Sequence, residues 1–245
     1  MYARANISTK KEIRDIIIAD AVLIIAFSFV LMGGVSNFSA QVGNVSKELG
    51  LKGVNSPFTL IIYLIPLVAV GVTLSFVLHE LMHKFVAQHY GAIAGFQMST
   101  TGLLITFLTG FFGFLFGIPG ATVIYTSNFT KKENGIVSIA GPLTNFAVFG
   151  VFLSVYLIFG NSLGSYISYG ISLTLFISIL LAFFNMLPIF PLDGSKVLAW
   201  NKPIYITTMG IIFILMMVFT PIPYYIILFM LVIAVMFSLF YRNVL

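Results

Sequence analysis

The residues best suited to chemistry are crowded into HELMH, residues 79–83. In a helix, side chains four apart lie on one face, so His79 and His83 can direct their imidazoles at one divalent ion. Glu80 is placed to take a proton from a water activated at that ion and to return it to a leaving nitrogen. The chain has only 3 His, and two of them are in this motif. A satisfied structural cluster is the plainer alternative. Two His and a Glu at the end of an apolar run are costly, however, unless they have partners.

Two histidines leave a catalytic zinc one protein ligand short. With 0 Cys in the chain, thiolate sites and disulfides are excluded, and the third ligand must be His, Asp or Glu. His89 lies beyond the motif, behind Lys84, where it reads as an interfacial residue. Glu133 sits beside Lys131 and Lys132 in a charge cluster. Glu48 falls on the opposite side of the topology derived below. Asp193, in FNMLPIFPLDG, is the only acid between Glu133 and the C-terminus. The residues alone leave Asp20 open as well.

These groups must be positioned by elements that face lipid. Only 8% of the residues are charged, 60% are hydrophobic and the mean hydropathy is +1.09, whereas a soluble domain carries about a quarter charged residues. The net charge of +5 resides in basic residues between apolar runs, without the interleaved aromatics that stack on bases. Nucleic acid is therefore not an expected partner; lipid headgroups are.

A spanning helix needs about 20 apolar residues. The expected spans are residues 16–32, a long one from 58 to about 84, one after Gly135, then 171–187, 204–219 and 224–241. The first is too long for a signal-peptide core and is read as retained. Residues 33–57 read as a loop. Residues 91–134 are ambiguous: a Gly-rich apolar stretch lies between segments with β-branched residues, and strands or a re-entrant hairpin fit as well as a helix. If that region does not cross, six spans place both termini inside. Ten of the 12 Lys and Arg then lie inside, and Lys47 and Lys52 outside. The second and fourth spans run in the same direction, so His79, His83 and Asp193 can meet at one depth. A seventh span would separate them. The expected fold is an all-α polytopic membrane protein of six spans, with a small β or re-entrant element.

Asn145 and Asn185 are amides inside apolar spans, where each needs hydrogen bonds. They can join helices, or donate to a substrate carbonyl and its developing oxyanion. Gly141 and Pro142 suggest close packing and a local break. Pro188 and Pro191 stop the fourth helix, so that the chain beyond can present Asp193 inward.

HELMH, GPLTN at 141–145 and NMLPIFPLDG at 185–194 together resemble the three signatures of the site-2 protease family of intramembrane zinc metalloproteases. The resemblance covers about residues 60–195 and implies a core of three spans within one membrane domain, residues 1–245. It implies one zinc ion on His79, His83 and Asp193, Glu80 as general base, and asparagines such as Asn145 and Asn185 bordering the site. It further implies a site within the membrane towards the cytoplasm. The expected activity is hydrolysis of a peptide bond in or near a transmembrane segment of a membrane protein. A strand edge within 91–126 could pair with the unwound substrate. A metal-binding transporter and a non-catalytic scaffold are the alternatives. Glu80 beside the two histidines speaks against the first, and the full set of reactive residues against the second.

Overall fold

The computed structural model describes residues 9–125 and 129–220, together with Val232 and Met236. The expected span 224–241 otherwise lies outside the described residues. Among those residues, four helical stretches are long and apolar enough to cross a bilayer: Pro57–His89, Lys131–Phe159, Ser165–Asn185 and Lys202–Phe219. The protein is thus an all-α polytopic membrane protein carrying one two-stranded sheet.

The first helix, α1 (Thr9–Leu31), covers the first expected span. Its Glu12, Arg14, Asp15 and Asp20 make it more polar than those four. The region expected as a loop, 33–57, contains a short helix, α2 (Phe38–Glu48), which buries Phe38, Val42 and Val45. Apolar residues three and four apart give that segment an inward face, a pattern that its Ser, Asn and Gly content conceals.

The stretch Pro57–His89 is 33 residues long, about 50 Å of helix against an apolar bilayer core of about 30 Å. It comprises α3 (Pro57–Val72), a widened π turn (Thr73–Val77) and α4 (Leu78–His89). The π turn coincides with three polar anchors. Thr73 Oγ1 donates to Asp20 Oδ2 at 2.7 Å, and Ser75 shares a 2.7 Å hydroxyl contact with Ser178. The amide of Asn145 fits between the Ser75 carbonyl at 2.7 Å and the Ala182 N–H at 3.3 Å. Such turns displace the hydrogen-bond ladder, and here the displacement immediately precedes His79.

Residues 91–125 resolve the ambiguous region as strand, helix and strand. β1 (Ile93–Met98) and β2 (Gly120–Tyr125) pair antiparallel, with Phe96 opposite Thr122. Between them α5 (Thr100–Phe111) runs outward along α1, its Gly110 so close to Ala26 that a Cβ would meet that residue's backbone. At its end Val35 N–H donates to the Phe111 carbonyl at 2.9 Å. The chain then turns back. Thr109 Oγ1 donates to the Phe116 carbonyl at 2.8 Å, and Ser99 N–H donates to the Pro119 carbonyl at 2.9 Å. The segment therefore enters and leaves on one side.

The long helix α6 (Lys131–Phe159) opens with a capping box, Thr130 and Glu133 exchanging side-chain and backbone bonds. It continues through Pro142, so the local break expected there is absent. α7 (Ser165–Asn185) starts earlier than the expected 171. Tyr166 draws this first turn onto the bundle by donating from its hydroxyl to the Tyr63 carbonyl at 2.7 Å. After the prolines come α8 (Asp193–Trp200) and α9 (Lys202–Phe219), the latter capped by Asn201. α6 packs against α4, α7 and α8, and this junction is where the reactive residues gather.

Candidate metal centre

His79 and His83 are buried on one face of α4, and Asp193 is buried at the first turn of α8. Their Nε2 atoms converge on a single oxygen: Asp193 Oδ2 lies 3.3 Å from His79 and 3.1 Å from His83. One ligand atom from each of the three residues falls within 4.8 Å of the others. A tetrahedral zinc with bonds of about 2.0–2.1 Å holds its ligand atoms about 3.3–3.4 Å apart, close to both separations.

The surroundings favour a cation in that space. His83 Nδ1 lies 2.7 Å from the Val137 carbonyl. A carbonyl only accepts, so Nδ1 carries the proton, and a neutral ring then turns the Nε2 lone pair towards the carboxylate. Two acceptors face each other there unless a positive charge intervenes, and such a tautomer is the one a metal requires. Gly141 completes the cradle, since a Cβ at that position would overlap Nε2 of both histidines. Asp193 also profits from its place at a helix N-terminus, where the backbone favours negative charge. Gly194 lets α8 begin against the end of α7, because a Cβ there would overlap the Met186 carbonyl.

His83 and Asp193 line a cleft of about 130 Å³ together with Glu80, Thr122, Asn185 and Lys196, and His79 is buried beside them outside the lining. The Glu80 carboxylate accepts from the Thr122 N–H and from its hydroxyl, both at 2.9 Å. Asn185 is half-buried and donates from Nδ2 to the Leu181 carbonyl at 3.0 Å, leaving its amide oxygen and second N–H for the cleft. Asn145 lies elsewhere. It is fully buried between the π turn and α7, outside the residues that line the cleft.

The other acidic candidates and His89 stand apart from the cluster. Asp20 bonds Thr73, Glu133 caps α6, and exposed His89 stacks edge-on with Tyr90. Two lining residues escaped the sequence reading as parts of the site. Lys196 places Nζ 3.6 Å from Asp193 Oδ1, and its i,i+3 spacing on a helix was a usable signal. Thr122 carried no comparable signal, because it depends on strand register.

Fold and cluster together define a polytopic membrane protein with a buried His, His and Asp cluster able to hold a metal ion. A protein of Methanocaldococcus jannaschii named as a zinc metalloprotease is 43% identical over 149 residues, which are 60% of this chain and 76% of that protein. The chain belongs to the site-2 protease family of zinc metalloproteases. No protein-family model matches it, and no solved structure matches it.

Proposed function

We propose that the chain performs zinc-dependent intramembrane proteolysis at this cleft, with His79, His83 and Asp193 as the ligands of one zinc ion and Glu80 as general base. The observation that carries the proposal is the convergence of both Nε2 atoms on Asp193 Oδ2 in a cleft that Glu80 also lines. The substrate is a membrane protein or peptide, cut in or near a transmembrane segment.

The ion, when bound, would polarise the scissile carbonyl and make water a nucleophile near neutral pH. The chain's own residues do the rest. The Val137 carbonyl holds His83 in the tautomer that leaves Nε2 free. Glu80 accepts the proton of the attacking water and passes it to the leaving nitrogen. Asn185 donates its second amide hydrogen to the carbonyl oxygen as negative charge develops there. Asn145 serves the site from behind by fixing α6 and α7 to the turn that precedes His79. The outer edge of β2, beyond the Thr122 N–H that Glu80 already occupies, is the place where an unwound substrate strand would pair.

We further infer six crossings around a three-helix core at about residues 60–195, within a single domain of residues 1–245. Both termini lie on the cytoplasmic side, and the site lies within the membrane towards that side. The concentration of Lys and Arg in the loops of that side supports this orientation.

The test is metal content on detergent-purified protein after removal of loosely held ions. Wild type and Glu80→Gln are expected to keep about one zinc per chain, as a three-ligand site requires. His83→Ala and Asp193→Ala are expected to lose most of it. Full retention of zinc by Asp193→Ala would remove that residue from the ligand set.

A further inference from the structure

The β-ribbon is held at a single cross-strand pair, from both sides, by carboxylates. On its β2 edge, the Thr122 N–H and hydroxyl both reach Glu80 Oε2 at 2.9 Å. The same hydroxyl lies 3.0 Å from the Glu80 carbonyl oxygen. On its β1 edge, the N–H of Phe96, the residue opposite Thr122, donates to Glu12 Oε1 at 3.1 Å. Glu12 is itself buried at 5% exposure, and its Oε2 accepts from Lys84 Nζ at 2.7 Å. Lys84 follows Glu80 by four residues and shares its face of α4. The contacts thus close a ring: Glu80, Thr122, Phe96, Glu12, Lys84 and back along one helical turn.

This ring has a consequence for the base. A glutamate has three side-chain torsions, and fixing them costs entropy. A base that is already held loses less on the way to the transition state. The Thr122 N–H goes to Oε2 and its hydroxyl is shared between Oε2 and the Glu80 carbonyl, and among the described residues Oε1 accepts no hydrogen bond. One oxygen is tethered while the other stays free for the reacting water.

We propose that Thr122 is the positioning residue of Glu80, and that Glu12, through Lys84 and Phe96, fixes the ribbon that carries Thr122. The proposal rests on Glu80 being the general base. It is independent of how the substrate binds, because every contact in the ring lies within the chain.

The test uses the full chain in detergent with single-span peptides carrying a fluorophore and a quencher on either side of the span. Thr122→Val removes the hydroxyl at nearly constant shape. It is expected to lower kcat about tenfold with KM within about twofold, the pattern of an interaction needed in the transition state. Zinc content stays at the wild-type level, and Thr122→Ser restores most of the rate. Glu12→Gln keeps an acceptor for Phe96 but weakens the Lys84 contact, and it lowers kcat in the same direction by a smaller factor. Hydrogen exchange gives a readout without substrate: the Thr122 amide exchanges faster in Glu80→Ala than in wild type. Wild-type kcat in Thr122→Val beside an inactive Glu80→Gln overturns the positioning role and leaves the base in place. An active Glu80→Gln overturns the base itself. Loss of zinc in Thr122→Val, or unchanged exchange at Thr122 in Glu80→Ala, also overturns the positioning role.

Discussion

The helical wall of the cleft, drawn from α4, α6, the end of α7 and α8, and the ribbon wall, where β2 lines the cleft and β1 backs it, hold their groups by different means. On the helical wall His79, His83 and Asp193 project from packed helices, and Gly141 brings the α6 backbone against both imidazoles. Position there is set by steric contact over many residues. On the ribbon wall a sheet of two six-residue strands is secured by hydrogen bonds to Glu80 and Glu12 and by the returning hairpin. Two strands alone are marginal in stability. The comparison teaches that the histidine side is held by packing over many residues and the ribbon side by a few hydrogen bonds, so changes to the two should separate in their effects.

The largest effect should come from closing the cradle. Gly141→Ala puts a methyl group against both ligand nitrogens, and neither histidine can retreat without leaving its helical face. Zinc affinity is expected to fall about a hundredfold or more, the upper end of what disturbing the surroundings of metal ligands costs. Competitive chelation measures it. Near-normal affinity would mean that the helical wall yields more readily than its packing implies.

Next is Asn185→Ala, which removes the amide that lines the cleft at the end of α7. Loss of one donor to a developing oxyanion typically costs about a hundredfold in kcat, with zinc retained. A change confined to KM would make Asn185 a binding residue only.

Gly102→Ala tests the ribbon wall alone. A Cβ there would overlap the Ile118 carbonyl on the returning limb, forcing that limb, and β2 after it, to shift. Cleavage is expected to fall about tenfold, the scale of a misplaced positioning element, while zinc content is unchanged. Coupled loss of zinc would erase the distinction between the walls.

The same division governs what could be read from the sequence. The spacing of His79 and His83 is local and helical, so it pointed directly to the cluster that could hold a metal. Asp193 stood out because the chain offers so few acids in its second half, but the residues alone left Asp20 open and the NMLPIFPLDG signature was needed to choose between them. The ribbon was harder. Thr122 becomes visible only once Phe96 is known to lie opposite it, and register is a long-range property. Helix α2 was hidden by its Ser, Asn and Gly content, although Phe38, Val42 and Val45 mark one face. Pro142 suggested a break, yet α6 runs through it, packed on both flanks by α4 and α7. Asn145 and Asn185 looked alike as buried amides in apolar spans. Only their depth separates them, one in the cleft and one against the π turn.

The smallest effect lies behind the helical wall, at the Ser75 and Ser178 pair. Ser178 Oγ lies 2.8 Å from the Thr174 carbonyl and 2.7 Å from Ser75 Oγ. A hydroxyl has one hydrogen. Ser178 gives its own to Thr174, so Ser75 must be the donor between the two. The two single substitutions should therefore differ. Ser75→Ala removes a donor and leaves Ser178 with its bond to Thr174, costing about 0.5–1 kcal/mol. Ser178→Ala strands the Ser75 hydroxyl in an apolar interior, costing about 1–2 kcal/mol. The double variant should be no worse than Ser178→Ala, because no buried group is then left without a partner. Unfolding midpoints in detergent measure the order, and zinc content is expected to stay constant throughout. If Ser75→Ala were the more damaging, the direction of donation would be reversed, and the π turn before His79 would depend on Ser75 for its shape.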